Sequence, residues 1–167
     1  MDAIFKRRSI RKYKNEEVSD EKIHKIIQAG MSAPNAFATN EWEFIVIRSA
    51  EGHKKLEQSQ KWAKSSHNAS AVILVCGDTT KETNEKLLVQ NCSAAAENML
   101  IEATYLALGS LWLEAYGSDE FVDNLRREFN IPKHILPIAI VAIGVADQER
   151  EPHDKFYEEN VHHEVFK

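Results

Sequence analysis

Two uninterrupted apolar runs constrain this chain more than any other feature: AVILVC, from Ala71 to Cys76, and PIAIVAIGVA, from Pro137 to Ala146. Neither run alternates with polar residues, so neither fits a sheet with one wet face. Each reads as a fully buried strand. Between them lies a different period. Leu88, Cys92, Ala95, Met99, Ala103 and Leu106 recur at steps of four, three, four, four and three residues. That spacing predicts a long helix over 85–108. The helix is apolar over much of its circumference, which implies burial in a core or at a subunit interface. Its three consecutive alanines, Ala94 to Ala96, let another backbone approach closely.

The remaining pattern is helices first, then strands and helices in irregular alternation. Residues 2–8 read as a short helix, followed by an extended basic stretch from Ser9 to Lys14. Ser19 is an N-cap candidate, with Asp20 and Glu21 in the first turn where the helix dipole favours acids. Ile23, Ile26 and Ile27 give that helix an apolar face, and Gly30 is read as its end. Met31 to Glu41 is a loop, containing Pro34, two asparagines and small residues. Trp42, Phe44 and Val46 alternate with Glu43, Ile45 and Ile47, which predicts a strand. A helix near 51–60, a short strand from Leu111 to Leu113 and a helix capped by Ser118 that ends before Pro132 complete the reading. The tail from Gln148 onward is too polar to form its own core, so it either frays or lies on another surface.

The 167 residues fit one domain, 1–167, with 43% hydrophobic and 28% charged residues. No apolar run approaches the roughly 20 residues of a membrane span. No secretory signal is visible at the start. Cys76 and Cys92 lie far apart and form no CxxC pair, as expected for ordinary buried thiols in a reducing cytosol. A cytoplasmic protein without a membrane partner is therefore expected.

Charge is unevenly distributed. The chain carries 21 Lys and Arg against 26 Asp and Glu, a net of −5, yet residues 1–14 hold six basic residues and one acid. A basic arm on an acidic body suits a phosphate, a nucleic acid, a partner or simply solvent. The acidic remainder argues against a protein built to coat nucleic acid. Neither GxGxxG nor GxxxxGK[ST] occurs, so arginines would have to hold any nucleotide phosphate. Arg7, Arg8, Ser9 and Arg11 are the candidates. The guanidinium fork matches phosphate, a serine hydroxyl adds a donor, and in an extended chain Arg7, Ser9 and Arg11 share one face.

These residues carry a resemblance. RRSIRKY, followed about twenty residues later by GMSAPNAFATNEWEF, resembles the opening of the nitroreductase-like FMN-dependent oxidoreductases, in their small single-domain branch. NCSAAAENMLIEATYLALGSLWLEAY resembles their long central helix and next strand, and FNIPKHILPIAIVAIGVADQEREPHDKF their last strand and basic tail. The match keeps order and spacing over nearly the whole chain. It implies an α+β, nitroreductase-like fold with a mostly antiparallel central sheet packed by helices. It also implies a homodimer in which the C-terminal tail is exchanged and two FMN sites lie at the interface.

By the same resemblance, Arg7, Arg8, Ser9 and Arg11 match the phosphate and ribityl contacts. Lys155 stands for a second basic residue near the phosphate, with His153 a lesser candidate beside it. Pro34, Asn35, Ala36 and Ala38 fall in a loop that the partner subunit lays against the flavin. Leu113, Glu114 and Ala115 match the segment whose backbone approaches the isoalloxazine ring and offers an N–H to N5. Phe37 is the aromatic expected to face substrate.

The family's loop commonly reads Pro-Ser-x-x-Asn-x-Gln-Pro-Trp. Here Asn35 replaces the Ser, Ala38 the Asn, Asn40 the Gln and Glu41 the Pro, while Trp42 is kept. Asn35 retains a hydrogen-bonding side chain and Ala38 does not, which bears on cofactor affinity and substrate choice more than on fold.

The implied activity is FMN-dependent NAD(P)H oxidation. A hydride would pass through flavin N5 to a nitroaromatic, quinone or similar small acceptor in a ping-pong cycle, with NADH or NADPH as donor. The cofactor carries such chemistry, so no residue is assigned as a catalytic acid or base. Alternatives are a flavoenzyme of the same fold that dehalogenates, dehydrogenates or fragments flavin, or a non-enzymatic anion-binding dimer. His162-His163 beside Glu164 lacks metal-ligand spacing. Cys92 has no histidine at a recognisable spacing and reads as a structural thiol. Trp42 and Trp112 are assigned to packing.

Overall fold

The computed structural model describes residues 3–151 and 155–166. In chain order it forms α1 (Ala3–Lys6), α2 (Asp20–Met31), β1 (Trp42–Ile47), α3 (Ala50–Ser59), β2 (Ala71–Asp78), α4 (Glu85–Tyr105), β3 (Gly109–Glu114), α5 (Asp119–Phe129) and β4 (Ile135–Gly144). Short 3-10 turns occupy Ala36–Ala38, Lys61–Ser66 and Glu158–Asn160. Among the described residues the four strands make one sheet in the order β1-β2-β4-β3, and every pairing is antiparallel. The class is α+β, as the resemblance implies.

The apolar runs are explained by cover on both faces of this sheet. Ala71, Ile73 and Val75 of β2 pack into a core with Ile23 and Ile26 of α2 and Leu88, Cys92, Ala95 and Met99 of α4. Val72, Leu74 and Cys76 point the other way, into a second core with Leu56 of α3 and Leu125 of α5. All eight residues of β2 are buried. Alternation along the strand therefore feeds two cores, which is why no polar residue interrupts it. Among the described residues no helix is long and apolar enough to cross a membrane.

Several boundaries differ from the sequence reading for identifiable reasons. Among the described residues the initial helix covers Ala3–Lys6 and ends before residue 8. Gly30 does not end α2, which runs to Met31 with Ser32 as C-cap. Gly30 instead lets α2 approach α4, since a Cβ there would meet Met99 Cγ at 2.9 Å. Strand β4 starts before Pro137 rather than at it. Proline is tolerated in this central strand because its partner is Cys76, where the β2–β4 register shifts. Ser118 precedes α5, but its side chain makes no cap hydrogen bond. The turn over Lys61–Ser66 carries no periodic signal and was not expected.

The basic stretch after α1 is stitched onto the sheet. Ser9 bridges Ser110 in parallel and Tyr13 bridges Ala146 antiparallel. Ile10 and Tyr13 are buried, and the Tyr13 hydroxyl donates to the Ile10 carbonyl at 2.7 Å. Two glycines make room for this. A Cβ on Gly109 would sit 2.8 Å from Ile10 Cγ2, and one on Gly144 would sit 2.8 Å from Tyr13 Cδ1. Most of the described tail is exposed, with Phe166 at 88%.

Candidate functional site

Stitching Ile10 and Tyr13 into the core leaves the basic side chains between them and α1 at the surface. Arg7, Arg8, Ser9 and Arg11 meet Arg150 and Lys155 around a pocket of about 220 Å³. The alternation argument is not how they converge. The Arg7 amide still bonds to Ala3 O, closing the turn of α1, so the chain becomes extended only afterwards and Arg8 lines the pocket too. Arg150 was missed by the sequence reading. Its only signal was charge within a polar tail. His153 lies outside the described residues.

Among the described residues, the wall of this pocket contains four arginine and lysine side chains beyond Arg7, and no carboxylate. Arg7 Nε pairs with Glu97 of α4 at 3.4 Å. Arg8 is held by backbone: its Nε donates to Glu151 O at 2.7 Å and its Nη1 to Arg7 O at 2.5 Å. Its Nη2 is buried and has no hydrogen-bond partner among the described residues. The buried Ser110 hydroxyl, opposite Ser9, is unpartnered as well. Buried polar groups are nearly always satisfied, so an orphaned guanidinium nitrogen beside clustered cations calls for an anion. A phosphate monoester fits that donor set.

From Ser110, β3 runs about 13 Å to Glu114 at the usual rise per residue. Ser110 O accepts from the Ile10 amide at 2.9 Å and Glu114 O accepts from Gln60 Nε2 at 2.9 Å. Both carbonyls therefore point to the outer edge. By alternation the amides of Ser110, Trp112 and Glu114 face outward, while those of Leu111 and Leu113 face β4. Of the candidates Leu113, Glu114 and Ala115, Glu114 thus presents an N–H at the open edge. Leu113 and Ala115 are buried. The Glu114 side chain folds over Gly117, where an added Cβ would collide with its carboxylate. Gln60, fully buried and also accepting from the Trp62 amide at 2.6 Å, is a second residue the sequence did not reveal.

The loop over 34–40 lies apart from the cationic pocket and does not line it. It is pinned to α4 and to Glu41. Asn35 Nδ2 donates to Glu41 Oε2 at 2.5 Å and the Thr39 hydroxyl to the same oxygen at 2.6 Å. Asn91 Nδ2 donates to Glu41 Oε1 at 2.7 Å, and Asn91 Oδ1 accepts from the Ala36 amide at 3.3 Å. Glu41 is fully buried. Burial alone would raise its carboxyl, but hydrogen bonds from Thr39, its own backbone, Asn35 and Asn91 together hold it below the ordinary value. Phe37, Ala38 and Asn40 adopt left-handed φ values of 58°, 52° and 48°. Pro34 is exposed, and Phe37 is 87% exposed.

The thiols are inert by contrast. Burial pushes Cys76 up to about 12 and raises Cys92 well above its ordinary value. Among the described residues no group of three or more His, Cys, Asp or Glu side chains is placed to hold a metal ion. Trp42 packs in the core and donates from Nε1 to Asn91 O at 3.3 Å.

Comparison with known proteins agrees with this geometry. The profile described as the Nitroreductase family matches residues 4–87 and 59–145. A protein of Archaeoglobus fulgidus, provisionally named an NADH dehydrogenase/NAD(P)H nitroreductase, is 39% identical over 96% of this chain and 95% of its own. An FMN-dependent nitroreductase from Clostridium difficile R20291 superposes with a TM-score of 0.91 at 30% identity, covering 99% of this chain and 100% of the other. A protein of Desulfovibrio desulfuricans, provisionally named a nitroreductase and solved in complex with FMN, gives 0.84 at 30% identity, covering 99% and 96%.

Proposed function

Because the chain belongs to the nitroreductase family, we propose that it is an FMN-dependent NAD(P)H oxidoreductase reducing a small acceptor such as a nitroaromatic or quinone. The observation that carries this reading is the cationic pocket with its unpartnered Arg8 Nη2. Arg7, Arg8, Ser9, Arg11, Arg150 and Lys155 would hold the phosphate of FMN. When bound, FMN supplies the redox chemistry, taking a hydride from NADH or NADPH and returning it to the acceptor.

This chain's own residues position and polarise. Glu114 N–H, at the open edge of β3, is the donor for the hydride-accepting atom. Gln60 fixes the orientation of the Glu114 carbonyl and so of the strand end. Donor and acceptor use the same opening in turn, a ping-pong cycle. The protein works as a homodimer, in which the loop carrying Pro34, Asn35, Ala36 and Ala38 serves the partner's ring. The exposed Ile4 and Phe5 of α1 and Tyr105 of α4 support this, as does a tail whose Tyr157, Val165 and Phe166 stay exposed.

The test is an absorbance spectrum of the purified protein followed by acid release of bound flavin. FMN at about one per chain, with NADH or NADPH oxidation coupled to nitroaromatic or quinone reduction, is the expected result. A colourless protein that takes up no added FMN would overturn the reading.

A further inference from the structure

The loop over 34–40 contains an unusual combination. A fully buried carboxylate, Glu41, is satisfied by neutral side chains, with Asn35, Thr39 and Asn91 as donors. Above it stand three left-handed residues without a glycine among them. Such conformations persist only where the surroundings over-determine them. Here the surroundings are the Glu41 network itself. It fixes the loop at Asn35 and Thr39, on either side of Phe37 and Ala38, and ties the loop to α4 through Asn91 and the Ala36 amide. The product of this bracing is a phenyl ring at 87% exposure that the core does not use.

We propose that Glu41 is a positioning residue: through Asn35, Thr39 and Asn91 it holds the turn that presents Phe37 as a stacking wall for a planar aromatic electron acceptor. The inference rests on the function proposed above, in which this loop flanks the acceptor opening, and it narrows the acceptor class. A rigidly held aromatic face rewards flat ligands through offset stacking, beyond the area it covers. A small acceptor has few other handles. A dinucleotide donor has its ribose and phosphate groups as well, so the effect of the wall falls mainly on the acceptor. A charged brace suits this task. Hydrogen bonds to a carboxylate are stronger than those to a neutral acceptor, and Glu41 receives several at once.

The experiment compares the FMN-loaded holoenzyme with Phe37→Ala, Glu41→Gln and the double variant. It reads kcat/KM for a planar nitroaromatic against that for ferricyanide, an octahedral ion that cannot stack. Each single variant is expected to lower this selectivity about tenfold, through KM for the nitroaromatic. The double variant is expected to fall no further, because Glu41 acts through Phe37. If Glu41→Gln does not fold, Thr39→Val removes one donor and is expected to move selectivity in the same direction to a smaller extent.

Losses that multiply in the double variant, or a Glu41→Gln protein with wild-type selectivity, would overturn the role of Glu41. Wild-type selectivity in Phe37→Ala would remove the stacking wall. These outcomes differ from failure of the underlying function, which would show as a wild-type protein that binds no FMN or oxidises no nicotinamide with either acceptor.

Discussion

At the scale of single residues, the site depends on charged groups whose environments differ sharply. Glu41 is buried, and its folded-state carboxyl lies below the ordinary value of 4.5. A group with a depressed value contributes stability that is complete above 4.5 and is lost as the pH falls through the lower, folded-state value. The resistance of the wild type to urea unfolding is therefore expected to fall on acidification over that range. The gap between wild type and Glu41→Gln should narrow in step. An acid-independent gap would show that the carboxylate's charge is irrelevant to stability. The arginines of the pocket act on the ligand instead. Arg8→Ala and Arg150→Ala are each expected to weaken FMN binding by about 1.5–3 kcal/mol, the usual worth of a hydrogen bond to a charged group. Turnover of the FMN-loaded fraction should change far less. Fluorescence titration with FMN separates the two quantities. Arg11→Ala belongs to the same series, and unchanged flavin affinity would remove that residue from the clamp.

At the scale of elements, the position of the clamp is set by close approaches rather than by the arginines themselves. Gly109 and Gly144 let the extended stretch from Ser9 to Tyr13 lie against β3 and β4. Gly109→Ala is expected to cost about 1–3 kcal/mol by overpacking against Ile10. It should also weaken FMN binding although it touches no ligand. Thermal melts with and without FMN check both effects, and pairing the change with Ile10→Ala is expected to restore part of the loss. These relations explain what the sequence could and could not reveal. Strand β1 and the buried character of β2 were legible because burial leaves a periodic or continuous apolar trace. The arginine cluster was legible because it is local. Arg150, Gln60 and the Glu41 network were not, because each acquires its role from a residue far along the chain: Arg8, Glu114 and Asn91 respectively. Gly30 was misread because a glycine near a helix end has two explanations, and contact with Met99 is the one that holds.

At the scale of the whole molecule, two cores lie back to back on one sheet, and several apolar side chains outside them stay uncovered. Tyr105, Tyr157 and Phe166 are all exposed. Replacing Tyr157 and Phe166 with Asp is expected to raise the dimer dissociation constant at least tenfold, as measured by sedimentation equilibrium. A dimer of unchanged affinity would place the tail elsewhere. The loop over 34–40 does not line its own chain's cationic pocket, so the same variants are expected to lose turnover on dilution together with the dimer.

The stitched segment has one more consequence, for handling the protein rather than for catalysis. Strand β3 is an edge, and an open edge is a template for adventitious pairing with other chains. Ile10 caps the Ser110 carbonyl and Gln60 caps that of Glu114, so the residues that shape the pocket also blunt this edge. Conditions that peel residues 9–13 from the sheet would strip the anion clamp and uncover a sticky strand in the same event. Phosphate-rich buffers during purification would then act as an aggregation guard as well as a placeholder.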